Sequence, residues 1–187
     1  ALTSVYWREA WKYGERAFRY CQHDIGHAIG AISVAAAALG WRVRLLDGWS
    51  TGQLTELLGV ARPRADEQEA PECLLAIEPA AGTIEPEAPS TLSDWLETTR
   101  WSGNPNRLSA ESVRWPELAK AEQASHKPPT DGRYPGKPPR FPELTVGEAP
   151  FGIRPIVHRR RSAVDMDGRS AISDDAFYQI MRKCLPG

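Results

Sequence analysis

The stretch that decides the fold is "WKYGERAFRYCQHDIGHAIGAISVAAAALGW", residues 11–41. Apolar residues recur in it at spacings of three and four, which predicts a helix that Gly40 ends. Beyond Ile25 nearly every side of this helix is apolar, so we expect burial on most of its faces. The recurring apolar positions are Phe18, Cys21, Ile25, Ile29, Ile32, Ala36 and Leu39.

A short strand and a glycine turn follow the helix. Residues 42–46, "RVRLL", predict the strand, and Asp47 with Gly48 predicts the turn that ends it. The simplest role of Gly48 is to give this turn its backbone shape. Its functional role would be to let a flat ring approach the main chain and accept a hydrogen bond from an amide.

A capping box and a second strand complete the first region, residues 1–79. Ser50 and Gln53 have the spacing of a capping box, which predicts a helix over 51–58 that Gly59 can end. "CLLAIE", residues 73–78, predicts a buried strand. The order of helix, strand, helix and strand is typical of a mixed α/β layer.

Residues 80–150 have a different composition, because they hold eleven of the sixteen prolines. Proline lacks an amide donor and fixes the backbone, so we expect an extended or irregular segment. Three tryptophans in it, Trp95, Trp101 and Trp115, indicate that parts of the segment lie against a folded surface. We therefore interpret it as a docked linker.

The third region, residues 151–187, begins with a short apolar lead and a run of arginines. The arginines precede Ser162, and two interpretations of them are open. They form either a basic surface patch, solvated or used for targeting, or a phosphate site. Guanidinium forks with a hydroxyl suit the oxygens of a phosphomonoester. Further on, Ser173 predicts the N-cap of a helix that has acids in its first turn and ends at Leu185 and Pro186.

The overall composition is that of a globular protein without an affinity for polyanions. The formal net charge is -1, which disfavours binding to nucleic acid or to an anionic membrane. The apolar run 25–41 is shorter than a membrane span requires. The cysteines are odd in number and widely spaced, which favours reduced thiols and a cytoplasmic location. They are Cys21, Cys73 and Cys184.

Four potential metal ligands occur where the long helix begins, but they form an incomplete set. They are Cys21, His23, Asp24 and His27. His23 and His27 are one turn apart, yet the sequence contains no HExxH motif and no second ligand cluster. We therefore predict no metal and assign both histidines to structure, with hydrogen bonds at the start of the helix.

Lys12 and Tyr13 precede Gly14 in a segment rich in tryptophan and arginine. The ordinary expectation is a surface lysine beside a half-buried tyrosine. The functional alternative is a pair that donates and accepts protons.

Taken together, these motifs resemble the nitroreductase-like flavoprotein superfamily, and within it the dehydrogenases that oxidise thiazolines and oxazolines. Residues 11–41, then "VRLLDGWSTGQLTELLGV" and "ECLLAIEP", resemble the second half of such an α+β domain. "HRRRSAVDMDGRSAISDDAFYQIM" resembles the opening of another copy. The resemblance therefore implies the middle fragment of a tandem protein. In it, residues 1–79 are the C-terminal half of one nitroreductase-like domain, residues 80–150 are a linker, and residues 151–187 are the start of a second such domain.

The resemblance implies noncovalently bound FMN, in a site shared between two copies that form a homodimer or an intrachain pseudo-dimer. Arg160, Arg161 and Ser162 match the family's phosphate-binding run. Many relatives have a cation two residues after that serine, whereas this chain has Val164. Asp47 and Gly48 match the turn whose backbone faces flavin N5. They complete the implied cofactor site.

Lys12 and Tyr13 match the pair proposed for catalysis in the azoline-oxidising branch. The implied function is FMN-dependent hydride transfer, with a small molecule or a modified peptide as substrate and NAD(P)H as a possible reductant. The alternative is a degenerate, non-catalytic half that acts as a scaffold or binds a peptide. A third hypothesis, an unrelated helical binding module, predicts a colourless protein.

Overall fold

The chain has an α+β fold in which helices accompany small antiparallel sheets. It divides into two compact units, Ala1–Arg133 and Tyr134–Gly187, and each is described by itself. The structure is a computed structural model that describes residues 1–61, 67–79, 81, 96–103, 106, 108, 113–131 and 152–182.

The first unit alternates strands and helices along the chain. Its described strands are β1 (Leu2–Ser4), β2 (Trp41–Leu45), β3 (Ala70–Cys73) and β4 (Leu75–Pro79). Its described helices are α1 (Tyr6–Tyr13), α2 (Ala17–Ala38), α3 (Thr51–Leu58) and α4 (Pro116–Ala124), and Gly14–Arg16 forms a 3-10 turn between α1 and α2.

The core of this unit lies where α1, α4 and the start of α2 meet. Ala10, Ala17 and Leu118 are buried together, and Ala17 has no exposed surface. Phe18 packs against this cluster and against a second one that contains Tyr6. The Tyr6 and Phe18 rings are 5.3 Å apart, so they join the two clusters into one apolar centre.

The predicted strand 73–78 is wrong in two respects. The chain instead forms β3 and β4, which belong to different two-stranded sheets on either side of Leu74. β3 pairs with β1 and β4 pairs with β2, both antiparallel. Burial is limited, because each two-stranded sheet leaves much of its surface uncovered: Ile77 is 49% exposed and Glu78 is the buried residue of β4.

Glu78 is the polar centre of the β2–β4 sheet. It is only 1% exposed, and its Oε1 lies 3.3 Å from the Nε of Arg42 and 3.4 Å from that of Arg44. Arg42 lies opposite Glu78 in the antiparallel register, and side chains two residues apart share a face. The two half-exposed arginines therefore cover the carboxylate and neutralise it.

The predicted end of the long helix is confirmed, but its predicted burial is wrong. α2 ends at Ala38, and Gly40 follows with a φ of +73°. Its buried residues are Ala17, Cys21 and Ala36 alone, whereas Val34 is 47% exposed. Ile25, Ile29 and Ile32 are half-buried, whereas the face that carries Gly26 and Gly30 is exposed. None of the described helices is both long and apolar enough to cross a membrane.

The short strand and the capped helix are confirmed. β2 starts one residue earlier than expected, at Trp41. Ser50 Oγ accepts from the Gln53 amide at 3.1 Å, and Gln53 Oε1 accepts from the Ser50 amide at 2.8 Å. Gly59 ends α3 in the left-handed conformation, with a φ of +63° and a ψ of 26°.

The region 80–150 contains a helix that its proline content concealed. α4 starts with Pro116 at a first-turn position, where proline costs no hydrogen bond. Trp101 and Trp115 lie against the folded surface as expected, at Gly59 and Gly14 respectively. Trp95 lies outside the described residues, so its expected contact is not described.

The second unit contains α5 (Ile153–Arg159) and α6 (Asp174–Arg182) among its described residues. The start of α6 confirms the predicted N-cap, because Ser173 Oγ accepts from the Ala176 amide at 3.3 Å. The predicted helix end near residue 185 lies outside the described residues, as does Cys184. Val164, in the extended stretch between the two helices, is fully exposed.

Candidate functional site

The Asp47–Gly48 turn links β2 to α3 and is fixed at both ends. On the strand side, the Leu46 amide donates to the Leu74 carbonyl at 2.9 Å. On the helix side, the Ser50 capping box sets the direction of α3. The turn is therefore a short bend between two anchored elements, as its sequence predicted.

The segment 126–131 lies across this turn, and we call it the strap. The Thr51 amide donates to the Lys127 carbonyl at 3.0 Å, and the Lys127 amide donates to Thr51 Oγ1 at 2.9 Å. The Thr130 amide donates to the Gly48 carbonyl at 3.2 Å. Main-chain bonds thus hold the strap against both the turn and the start of α3.

The side chains of the strap bind the carbonyl oxygens of the turn. Lys127 Nζ donates to the Asp47 carbonyl and, at 3.3 Å, to the Trp49 carbonyl. Thr130 Oγ1 donates to the Asp47 carbonyl at 2.8 Å and accepts from Lys127 Nζ at 3.1 Å. The Asp47 carboxylate lies 3.7 Å from the same ammonium. In the part of the chain that is described, the Gly48 amide donates no hydrogen bond.

A small polar cavity of about 170 Å³ lies beside the strap. It is lined by Tyr6, Gln22, Thr51, Glu72, Glu122 and Lys127, among others. Two of these residues, Thr51 and Lys127, hydrogen-bond to each other, and Lys127 also bonds to the turn. Lys127 is therefore the residue through which the cavity adjoins the turn.

Two carboxylates line this cavity, those of Glu72 and Glu122. Tyr6 Oη donates to Glu72 Oε1 at 2.7 Å, and Gln22 Nε2 donates to Glu72 Oε2 at 3.0 Å. Burial raises the pKa of the Tyr6 hydroxyl, and the bond to Glu72 raises it further. Burial also raises the pKa of Glu122, where the charge of His126 opposes the rise and that of Glu72 adds to it.

Lys12 and Tyr13 lie together at the C-terminal end of α1. Lys12 Nζ is 5.1 Å from the centroid of the Tyr13 ring, within the range of a cation–π contact. The Tyr13 ring meets Tyr20 edge to face at 4.7 Å. Lys12 is exposed and Tyr13 is half-buried. Neither residue hydrogen-bonds to the Asp47–Gly48 turn among the described residues.

Arg160, Arg161 and Ser162 follow α5 in an extended, exposed conformation. The Arg160 amide donates to the Ile156 carbonyl at 2.9 Å, which ends the helix. Arg161 Nη1 donates to the carbonyls of His158 and Arg160 at 3.0 and 2.8 Å. The run belongs to the second unit, whereas the Asp47–Gly48 turn and the Lys12–Tyr13 pair belong to the first.

His27 has a structural contact of the kind predicted for it, whereas His23 takes part in that contact through its main chain and not its ring. The ring Nδ1 of His27 hydrogen-bonds to the carbonyl oxygen of His23 at 2.8 Å. Burial raises the pKa of the nearby Cys21 thiol to about 11, which disfavours the thiolate that a metal requires. No group of three or more metal-ligating side chains occurs in the described part of the chain.

The sequence interpretation missed the strap residues Lys127 and Thr130. A faint signal was present, because a proline pair separates them. In a polyproline II segment, residues three apart face the same side.

Comparison with known proteins found no family model, no curated protein and no solved structure that matches this chain.

Proposed function

We propose that this chain belongs to an FMN-dependent oxidoreductase of the nitroreductase type and contributes the turn that faces the flavin ring. The observation that supports this proposal is the geometry of the Asp47–Gly48 turn. The strap donates hydrogen bonds to the carbonyl oxygens of the turn, while the Gly48 N–H has no acceptor among the described residues. An aromatic ring edge with acceptor atoms is a fitting partner for such a donor.

The donor chemistry of the second unit fits the other end of FMN. Arg160, Arg161 and Ser162 are consecutive and exposed, and together they offer guanidinium and hydroxyl donors to a phosphomonoester. Arg161 already bonds two carbonyls through Nη1 and has further donors on its fork. We propose that this run binds the phosphate of FMN in its own copy of the domain.

The proposed reaction divides between the cofactor and the protein. Bound FMN would supply a hydride acceptor at N5. Tyr13 or Lys12 would accept the proton that leaves a thiazoline or oxazoline ring as it becomes aromatic. We further propose that the substrate is a small molecule or a modified peptide. In a nitroreductase-type reaction NAD(P)H is a possible reductant, whereas azoline oxidation leaves reduced FMN, which an electron acceptor such as dioxygen would reoxidise. The free thiols of Cys21 and Cys73 support a cytoplasmic location, which cell fractionation would test.

The visible spectrum of the protein, purified at its full natural length, tests the cofactor proposal. We expect a yellow protein whose chromophore, released by heat, is FMN. Because each charge-assisted bond contributes about 1.5–3 kcal/mol, replacing Arg160 and Arg161 by alanine should weaken FMN binding at least about 10-fold. Arg159→Ala is the matched control, with unchanged affinity expected. A colourless protein that binds no added FMN would refute the proposal.

The alternative function is a non-catalytic copy that supports an active one or binds a peptide. The exposed Val164, where many relatives have a cation, favours this alternative for the second copy. The ratio of FMN to intact protein separates the two functions. Two flavins per chain indicate two working sites, whereas one flavin indicates a scaffold half.

We also propose that the uncovered face of α2 packs against a second copy of the domain, in the same chain or in another. An alanine side chain would meet no atom within 4 Å at Gly26 or Gly30, and Val34 is 47% exposed. Small residues on one helix face permit close helix packing. The face therefore has the composition of a helix–helix interface.

A charge at Val34 tests this packing. We expect Val34→Glu to weaken association at least about 10-fold, because an unpaired carboxylate would be buried at the contact. Light scattering coupled to size exclusion measures dimerisation between chains, and limited proteolysis of the monomer reports contacts within a chain. His23→Glu, on the exposed polar start of α2, is the control. Wild-type behaviour of Val34→Glu in both measurements would exclude the interface.

A further inference from the structure

The carbonyl oxygen of Asp47 receives an unusual concentration of donors. Lys127 Nζ and Thr130 Oγ1 both donate to it, and the same ammonium reaches the Trp49 carbonyl at 3.3 Å. Here one of the two donors is a full positive charge, so the bond is charge-assisted.

This carbonyl belongs to the same peptide group as the Gly48 amide. The peptide C–N bond has partial double-bond character, so electron density withdrawn at oxygen is also withdrawn from nitrogen. Hydrogen bonds in such a chain strengthen one another, by about 10–30% per bond. Donation to the Asp47 oxygen therefore makes the Gly48 N–H a stronger donor.

We propose that Lys127 and Thr130 are positioning residues that orient and polarise the Asp47–Gly48 peptide, so that the Gly48 amide donates strongly to its ligand. This inference rests on the proposed function, in which that ligand is the ring of FMN. It gives the strap a role in cofactor binding, and it extends the binding site by residues about 80 positions further along the chain.

Anchoring of the strap does not require the ammonium. The main chain of Lys127 exchanges two hydrogen bonds with Thr51, and the Thr130 amide binds the Gly48 carbonyl. Lys127→Met keeps these bonds and most of the aliphatic stem, and it removes only the charged donor. Its effect on the Gly48 amide therefore reports polarisation separately from docking.

Selective isotope labelling of the intact protein observes the Gly48 amide directly. Carbonyl-¹³C aspartate with ¹⁵N glycine selects Asp–Gly peptides. The chain contains three, at residues 47–48, 131–132 and 167–168. Gly48→Ala assigns the signal. In Lys127→Met we expect its amide proton to move upfield while the 167–168 signal stays in place. Thr130→Val should cause a smaller shift, and Lys127→Arg should restore the wild-type position.

FMN titration of the same variants supplies the second readout. Without the Lys127 ammonium, the Gly48 N–H should form a weaker hydrogen bond to FMN. We therefore expect FMN binding to weaken about 3- to 10-fold in Lys127→Met and to recover in Lys127→Arg. An unmoved Gly48 signal overturns the inference, whether or not FMN binds. A moved signal with unchanged FMN affinity also overturns it, because the amide would not contact the cofactor. Failure of the wild type to bind FMN refutes instead the function on which the inference rests.

Discussion

Replacing Gly59 by alanine is expected to destabilise the first unit by about 2–4 kcal/mol. The residue has a φ of +63°, where a side chain strains the backbone. A Cβ atom there would also lie 2.3 Å from Cδ1 and Cγ of Trp101, far inside van der Waals contact. Trp101 cannot withdraw freely, because its indole donates to the Leu57 carbonyl at 3.1 Å. Denaturant unfolding monitored by circular dichroism measures the loss.

Gly40 provides the matched control for this substitution. Its φ of +73° is similar, but a Cβ atom would meet nothing within 4 Å. Gly40→Ala should therefore show the backbone strain alone, about 1–2 kcal/mol. In a Trp101→Ala background, Gly59→Ala should cost only this backbone strain. Equal losses for the two single variants would show that the tryptophan contact does not contribute.

Replacing Tyr13 by phenylalanine together with Lys12 by methionine is expected to lower turnover of a thiazoline-containing peptide at least about 100-fold. This second prediction rests on the proposed function, in which the pair accepts the proton released from the ring. The yellow colour and the FMN affinity should remain, since neither residue bonds to the Asp47–Gly48 turn. Mass spectrometry of the peptide measures the loss of two hydrogens.

Two neighbouring residues serve as controls for the catalytic pair. Tyr20→Phe removes a hydroxyl from the ring that contacts Tyr13, and Lys120→Met removes an exposed lysine on α4. Both should retain wild-type turnover. If the double variant oxidises the peptide at the wild-type rate, Lys12 and Tyr13 have no role in proton transfer.

Local chemistry made parts of the fold predictable. The capping box of Ser50 and Gln53, the left-handed Gly59 and the N-cap Ser173 depend on residues within one turn. Each of them was found where the sequence indicated. The end of α2 was equally accessible, because a run of helix-compatible residues ends at Gly40.

Features that depend on distant residues were not predictable in the same way. The division of 73–78 at Leu74 follows from which strands pair, and those partners lie far away in the sequence. The prediction that α2 is buried on most faces failed for a related reason, since an apolar surface does not specify what covers it. The strap was missed because only the folded chain brings Lys127 to Asp47.

The strap also limits how the Asp47–Gly48 turn could be transferred. Residues 41–58 would carry strand β2, the turn and the cap of α3 into another scaffold, but they would leave behind the donors supplied by Lys127 and Thr130. A grafted copy would then have the same turn residues, but the strap would no longer hold the conformation of the turn. Transfer of the turn to another scaffold should therefore include the strap, or it should place another cationic side chain against the carbonyl of Asp47.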